Sequence, residues 1–157
     1  MPTPDFVLTL REKIGHDLLP MIGVTGVVRD REGRVLLARR TDTGEWALPS
    51  GIVDPFEEPA VALAREIAEE TGLVVRVDAL VGVSAMGEEI VYPNGDRATY
   101  VDLTFACTHV SGTPAPLDGE NSEAGWFAPD ALPPVRESSV VRLARAEDFA
   151  GTTWFAR

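Results

Sequence analysis

The segment from residue 51 to residue 73, GIVDPFEEPAVALAREIAEETGL, constrains the fold more than any other part of the sequence. Pro59 suits the first position of a helix, the residues after it are mostly good helix formers, and Gly72 is a typical helix stop. The sequence therefore predicts a helix over Pro59–Thr71. Apolar and β-branched runs that are typical of strands lie on both sides of it. This order favours an α/β fold, with helices packed on a mixed β-sheet, over a regular doubly wound series.

The remaining elements are predicted from periodicity and turn residues. We expect an amphipathic helix over residues 5–19, ended by Pro20, and a C-terminal helix over residues 136–149. The predicted strand features are a hairpin closed by RDREG at residues 29–33, a short strand in EWALPSG that becomes a loop at Pro49, an Asn94-Gly95 turn between two strands, and a last short strand opened by Trp126 and Phe127.

Length and composition indicate how many domains the chain can form. With 157 residues, of which 45% are hydrophobic, it can bury one sizeable core, whereas two domains would each have a marginal core. No repeat, low-complexity tract or linker marks a boundary, so we expect one domain over residues 1–157. The single cysteine, Cys107, lies in a strand-like segment, and we expect a small buried hydrophobic side chain rather than a reactive thiol.

Charge and hydropathy limit the partners of the chain. A formal net charge of -11 disfavours binding to a nucleic-acid polymer, although carboxylate-bound divalent cations would admit a small phosphorylated ligand. The longest apolar run, near residues 21–28, is too short to span a bilayer, and the N-terminus shows no basic-then-apolar leader. We therefore expect no membrane association and a cytoplasmic location.

Several common sites are excluded by the residues that they require. Lys13, the only lysine, is followed by Ile14, so a phosphate-binding P-loop is absent, and no two glycines have the spacing of a dinucleotide-binding fingerprint. Ser84 lacks the flanking glycines of a nucleophile elbow. His16 and His109 have no second histidine or cysteine at ligand spacing. A metal would therefore need oxygen ligands, which favour Mg²⁺ or Mn²⁺.

The predicted helix over residues 59–71 concentrates acidic side chains on one face. At 3.6 residues per turn, Glu66, Glu69 and Glu70 share that face, beside an apolar stripe that would pack on the sheet. Like charges at these spacings cost about 0.2–0.5 kcal/mol per pair, and the helix dipole disfavours anions near the C-terminus. Bound divalent cations would relieve this cost. The alternative is an ordinary solvated charged face, because glutamate is a good helix former.

The spacing of the residues around this face is more specific than the charge. The positions concerned are Gly51, Glu57, Arg65, Glu66, Ile67, Glu69, Glu70, Gly72 and Leu73. They resemble the Nudix box, G-x5-E-x7-R-E-U-x-E-E-x-G-U with U a bulky aliphatic residue, and match it at every fixed position. The segments GRVLLARR, GEWALPSG, NGD and GENSEAGWF are also similar to segments of Nudix hydrolases, so the resemblance covers roughly residues 22–133.

The resemblance implies a Nudix fold, a mixed β-sheet sandwiched between helices in an α/β/α arrangement. It implies Mg²⁺- or Mn²⁺-dependent hydrolysis of the pyrophosphate bond in a nucleoside diphosphate linked to another moiety, such as a nucleoside triphosphate, ADP-ribose or a nucleotide sugar. The partner would be a small phosphorylated nucleotide. By position, the resemblance implies Glu66, Glu69 and Glu70 as metal ligands, with the Gly51 carbonyl as a backbone ligand.

The same resemblance suggests roles in catalysis. Glu69 is the first choice for the base that removes a proton from the attacking water. The alternatives that stay open are Glu66 and the loop acids Glu120 and Glu123. Arg65 and Glu57 are expected to form an ion pair that fixes the loop against the helix, which is an orienting role.

Residues outside the fixed positions of the Nudix box have less specific interpretations. Arg39 and Arg40 could contact substrate phosphates or could be solvated strand-end side chains. Trp126 could stack on a base, but a core position is the stronger interpretation. Ser50 and Phe56 stand where glycine is frequent in Nudix proteins, which predicts a changed loop backbone near the metal site.

Two other functions are compatible with part of the pattern. A Nudix domain that senses a nucleotide without turnover would be expected to lose box glutamates, which this chain retains. An acidic helix that mediates protein contacts leaves the glycine and arginine spacing unexplained. A homodimer, in which the helix over residues 5–19 packs or exchanges across the interface, stays open.

Overall fold

A computed structural model of the chain describes residues 3–157. Its helices are α1 (Asp5–Ile14), α2 (Pro59–Thr71) and α3 (Glu137–Glu147). Its strands are β1 (Leu19–Arg29), β2 (Val35–Arg40), β3 (Trp46–Ala47), β4 (Ser50–Ile52), β5 (Val74–Ala85), β6 (Ile90–Val91), β7 (Arg97–Ser111), β8 (Asn121–Phe127) and β9 (Trp154–Phe155).

The strands form one mixed sheet, in which β3, β2, β1, β7, β5 and β9 are neighbours in that order. In addition, β4 pairs with β1, β6 with β7 and β8 with β2. Strands β1 and β7 run parallel, whereas β5 and β7 run antiparallel. The apolar, β-branched runs of the sequence thus form the long central strands, and the predicted mixed sheet is confirmed.

Helices cover both faces of the sheet. Successive residues of β1 point to opposite faces, so the Val24 side packs on α2 and the Val27 side packs on α3. Met21, which is on the Val27 side, packs with Val7 of α1. The structure is therefore the α/β/α sandwich, with α2 on one face and the two terminal helices on the other.

Helix α2 has the predicted bounds. Gly72 follows it with a φ of 72°, and the Gly72 N–H donates a hydrogen bond to the Ala68 carbonyl oxygen at 2.9 Å. Glycine adopts this left-handed conformation without the steric cost of a side chain, so it ends the helix. Because Leu63 and Ile67 are fully buried, the orientation of the acidic face of α2 is fixed relative to the sheet.

The terminal helices differ from their predicted bounds. Helix α1 ends at Ile14 rather than at residue 19, because Gly15 has a φ of 58° and turns the chain. Leu19 and Pro20, expected at the end of that helix, belong to β1 and pair with β7. Helix α3 spans residues 137–147, which is shorter than the predicted range of 136–149.

Strand predictions also need correction. Ser50 and Gly51, predicted as loop residues, form β4 because their backbone pairs with β1. Trp126 and Phe127 end β8 rather than open it. The hairpin closed by RDREG has a single paired position, since β2 then diverges from β1 to pair with β8.

The cysteine and membrane expectations have direct structural tests. Cys107 is buried in β7, and burial raises the pKa of its thiol to about 12, so the hydrophobic interpretation is confirmed. Within residues 3–157, no helix combines the length and the apolar character needed to cross a bilayer.

Candidate metal centre and substrate cavity

Glu66 is a fully buried carboxylate on the sheet-facing side of α2. It lies against Gly51 of β4 so closely that a Cβ at position 51 would overlap the Glu66 side chain. Its Oε1 accepts a hydrogen bond from Arg65 Nη1 at 3.0 Å, whereas its Oε2 is buried without a hydrogen-bond partner in the described part of the chain. Burial raises the pKa of Glu66 to about 7. The glycine of the box thus makes room for an acid that is only half satisfied.

Glu70, one turn further along α2, is also buried. Burial raises its pKa to about 8, and the negative charges of Glu66 and Asp118 add to this effect. Oxygen atoms of Glu70, Asp118 and Glu120 all lie within 4.8 Å of one another. The structure therefore brings a box glutamate next to two acids of the loop between β7 and β8.

These carboxylates fit a hard divalent cation. All the donors are oxygen atoms, which Mg²⁺ and Mn²⁺ prefer, and a buried carboxylate oxygen without a partner is costly unless a ligand completes it. The oxygen concerned is Oε2 of Glu66. Glu66, Glu70 and Glu120 were singled out from the sequence, whereas Asp118 was missed. Its signal was its position two residues before Glu120 in the acid-rich loop.

The other two acids considered as a base lie apart from this cluster. The side chain of Glu69 is 50% exposed, and its Oε2 is 3.4 Å from Arg65 Nη1. It is not part of the group formed by Glu70, Asp118 and Glu120. Glu123 accepts a hydrogen bond from Arg39 at 2.8 Å on the exposed surface of β8. Glu69 thus borders the buried acids, and Glu123 is engaged in a surface ion pair.

Arg65 connects the loop before α2 to the acidic face. Its Nε and Nη2 donate to the two carboxylate oxygens of Glu57 at 2.9 and 2.8 Å, and its Nη1 reaches Glu66. Nη2 also lies 3.4 Å from the carbonyl oxygen of Ile52 in β4. The hydrogen bonds from Arg65 hold the pKa of Glu57 below its usual range. The expected ion pair is present, and it fixes the loop against the helix.

Phe56 and Ser50 stand where glycine is frequent in Nudix proteins, and one of them, Phe56, has a backbone conformation typical of glycine. Phe56 has a φ of 69° and a fully exposed side chain, and it is the only non-glycine residue with positive φ in residues 3–157. Ser50 is exposed and sits in β4 with regular pairing to β1. Phe56 therefore adopts, as a strained conformation, the left-handed backbone that glycine adopts freely.

A cavity of about 510 Å³ extends from this carboxylate cluster across the sheet. Its floor includes Met21, Gly23 and Thr25, on the side of β1 that faces α1 and α3. Glu70, Gly51 and Glu120 line one end of it. The volume is in the range typical of small-molecule sites, and the acidic end of the cavity is the candidate metal centre.

The two arginines at the end of β2 have different positions. Arg40 lines the cavity, where its Nε and Nη2 hydrogen-bond to the carboxylate of Asp42 at 2.8 and 2.7 Å. Arg39 forms its ion pair with Glu123 at the surface. Trp126 packs partly buried against the core cluster, with its ring centroid 5.1 Å from that of His109, which agrees with the core interpretation.

A second buried acid lines the cavity and was missed by the sequence reasoning. Asp102 of β7 accepts hydrogen bonds from the hydroxyl groups of Thr25 at 2.7 Å and Thr104 at 2.8 Å, and from Arg142 Nε at 2.9 Å. Tyr100, on the same side of β7, also lines the cavity. The available signal was an acid in the middle of the apolar strand segment YVDLTFACTHV.

Comparison with known proteins identifies relatives that match most of the chain. Residues 19–145 match the NUDIX domain family. The chain is 38% identical over 134 residues to a MutT-like protein of Streptomyces ambofaciens, and the match covers 85% of this chain and 80% of that protein. It is 29% identical over 147 residues to the 8-oxo-dGDP phosphatase of Mus musculus, covering 89% of this chain. The chain spans only 41% of the length of the mouse protein.

A solved structure shows the same architecture. The crystal structure of a MutT NUDIX hydrolase from Burkholderia pseudomallei matches this chain with a TM-score of 0.67 and 31% sequence identity. The match covers 81% of this chain and 98% of the Burkholderia chain. The fold of this chain thus occurs in a solved NUDIX hydrolase structure.

Proposed function

The chain belongs to the Nudix hydrolase family, and on that premise we propose that it is a metal-dependent pyrophosphohydrolase acting on a nucleoside diphosphate linked to another moiety. The observation that carries the proposal is the buried, unpartnered Oε2 of Glu66 beside the cluster of Glu70, Asp118 and Glu120. A buried carboxylate oxygen that has no hydrogen-bond partner, as Glu66 Oε2 in residues 3–157, is stabilised by a bound cation. The cavity next to these acids has room for a nucleotide.

The metal site would use Mg²⁺ or Mn²⁺. We assign Glu66, Glu69 and Glu70 as ligands with the Gly51 carbonyl, and Asp118 and Glu120 complete the acidic end of the cavity. When bound, the cations neutralise the diphosphate oxygens and favour the deprotonated form of a bound water. Glu57 acts only through Arg65, which it holds in place beside Glu66 and Glu69.

The base that accepts the proton from the attacking water is assigned to Glu69. Its carboxylate is half exposed, so it can reach a solvent molecule, and its contact with Arg65 Nη1 is long at 3.4 Å. Glu120 is the second candidate because it belongs to the carboxylate group at the cavity end. Glu66 is less suited, since its buried position faces Gly51.

The partner is a small nucleotide rather than a nucleic-acid polymer. The net charge of -11 would repel an extended phosphate backbone, whereas a short diphosphate can be neutralised by bound cations. We place the protein in the cytoplasm, not attached to a membrane. A homodimer formed through α1 is a further proposal, which size-exclusion chromatography with light scattering would test.

A non-catalytic nucleotide sensor is the alternative function. It predicts nucleotide binding without turnover, and it would not require an intact set of box glutamates. This chain retains all of them, and two are buried at an energetic cost. Catalysis therefore accounts for the retained acids better than sensing does.

The test is product release from a panel of nucleoside triphosphates, ADP-ribose, nucleotide sugars and dinucleoside polyphosphates, with Mg²⁺ or Mn²⁺. Glu69→Gln and Glu70→Gln should each lower turnover of the preferred substrate by roughly 10²-fold or more, while Glu12→Gln, on the exposed side of α1, should not change it. Binding of a panel member with no turnover of any would instead support the sensor. Full activity of Glu70→Gln would refute the assigned metal site.

A further inference from the structure

The cavity has a second polar wall, which is built by α3 from residues outside the box. Ser138 and Ser139 precede Arg142 by four and three residues, so each lies on the same face of the helix as Arg142, and all three line the cavity. Helix α3 is fixed in place because Ser139 Oγ accepts a hydrogen bond from the Leu48 N–H at 3.1 Å. The N–H of Arg136 also donates to the Trp46 carbonyl oxygen at 2.9 Å. This wall is therefore preorganised by contacts with β3 and the residues after it.

Arg142 is the most distinctive group of the wall. Its side chain is only 12% exposed, and its Nε donates to Asp102 Oδ2 at 2.9 Å. Asp102 is itself held by Thr25 and Thr104, so the guanidinium is locked in one orientation. Within residues 3–157, Nε is the only guanidinium nitrogen of Arg142 with a hydrogen-bond partner. The two terminal nitrogens remain for a ligand in the cavity, in the planar fork that suits paired acceptors.

The charge of the pair indicates which part of a substrate it binds. Asp102 and Arg142 cancel one another, so the pair offers directed donors without a net positive charge. The diphosphate is accounted for by the separate group of acids that suits a cation, Glu70, Asp118 and Glu120. A neutral, acceptor-rich edge, such as the carbonyl oxygen and adjacent ring nitrogen of a keto purine, matches the fork of Arg142.

We propose that Arg142 is a specificity-determining residue that selects a keto purine over an amino purine, and that Asp102 is the positioning residue for it. The proposal rests on the proposed function, because it takes the cavity to be a nucleotide site. Hypoxanthine and adenine differ at position 6, where the carbonyl oxygen accepts a hydrogen bond and the amino group donates one. The fork therefore gains a bond with the first base and meets a donor with the second.

The test is the binding of inosine and adenosine monophosphates to the full chain with Mg²⁺, measured by calorimetry. Neither ligand has a diphosphate to cleave, so the outcome does not depend on turnover, and a failure of the hydrolase proposal remains distinguishable. The unmodified protein should bind inosine monophosphate on the order of tenfold more tightly. Arg142→Lys, which keeps the charge but loses the fork, should reduce this ratio to about one. Arg145→Lys, on α3 but stacked on Trp154, is the matched control and should keep the ratio.

Asp102→Asn tests the positioning role, with thermal unfolding as a check that the variant is folded. It should lose the base preference as Arg142→Lys does, whereas a purely structural role would lower the melting temperature and leave the ratio unchanged. Inorganic pyrophosphate should bind equally well to the unmodified protein and to Arg142→Lys. The proposal is overturned by equal or undetectable binding of the two monophosphates, by a preference that survives Arg142→Lys, or by weaker pyrophosphate binding in that variant.

Discussion

Two buried acidic regions line the same cavity, and they are satisfied in opposite ways. Asp102 receives three hydrogen bonds from its own chain, one of them from a buried arginine. Glu66 has one oxygen without a partner in residues 3–157, and Glu70 lies beside the acids Asp118 and Glu120, with Arg40 as a nearby opposite charge. Burying a charge is costly unless it is paired. The hydrogen bonds of the first region are complete as the chain folds, whereas Glu66 Oε2 in the second has no partner in the part of the chain that the structure describes.

The largest expected effect is a loss of activity that occurs when the region of Glu70 is changed and not when the region of Asp102 is changed. Glu70→Gln keeps the shape of the side chain but removes the charge that holds a cation, so kcat/KM should fall by roughly 10²–10³-fold. The measurement is steady-state hydrolysis of the preferred substrate with saturating Mg²⁺. Thr104→Val, which removes one neutral hydrogen bond from Asp102, should keep kcat/KM within about threefold. Equal losses in the two variants would remove the functional distinction between the regions.

The next largest effect is a loss of stability that is expected when the region of Asp102 is changed. Asp102→Ala leaves the guanidinium of Arg142 buried without its partner, so the free energy of unfolding should fall by about 3–5 kcal/mol. Urea denaturation of the metal-free protein measures this. Thr104→Val should cost only about 1 kcal/mol, because it leaves the ion pair in place. A loss below 1 kcal/mol in Asp102→Ala would show that Arg142 finds water or another acceptor when Asp102 is absent.

In the region of Glu66 and Glu70 the opposite change in stability is expected when metal is absent, because removal of a buried charge should stabilise the protein. Glu70 has a pKa of about 8 in the folded protein, above its ordinary value of 4.5, because of burial. A raised carboxyl pKa means that stability from this group is present below pH 4.5 and is lost as the pH rises through 8. Metal-free Glu70→Gln should therefore be more stable than the unmodified protein at pH 8.5, by about 1–2 kcal/mol, and similar to it at pH 5.

Thermal unfolding at the two pH values, with and without Mg²⁺, measures this difference. Mg²⁺ should raise the melting temperature of the unmodified protein and have a smaller effect on Glu70→Gln, because the variant binds the cation more weakly. A Glu70→Gln protein that is less stable at both pH values would show that Glu70 has a partner within the fold.

The two regions also differ in how much could be predicted from the sequence. The region of Glu66 and Glu70 was found because helix periodicity and the spacing of Gly51 and Arg65 are local properties. Asp102 and Arg142 are 40 residues apart, on a strand and a helix that meet only in the folded chain. Asp118 was missed for a similar reason, since only the tertiary fold brings its loop to the end of α2.

The fold was likewise predictable where its signals are local in sequence, and not where they depend on contacts between distant segments. The bounds of α2 followed from Pro59 and Gly72, which act on the backbone next to them. The short strand β4 was not predicted, and neither was the early end of α1, although Gly15 is a local signal for that end. The first exists through pairing with β1, and Leu19 enters the sheet through pairing with β7. Pairing partners distant in sequence leave no local pattern, so these bounds required the structure.

The smallest expected effect concerns a strained backbone position in the loop before α2. Phe56 has a φ of 69° in the loop that presents Glu57 to Arg65, and its ring is exposed. Phe56→Gly should raise the free energy of unfolding by about 0.5–1 kcal/mol, because relief of the left-handed strain exceeds the added flexibility of the unfolded chain. Phe56→Ala is the matched control, since it removes the ring but keeps a Cβ, and it should give little gain. If alanine stabilises the protein as much as glycine, the cost lies in the exposed ring, and the loop backbone is not strained.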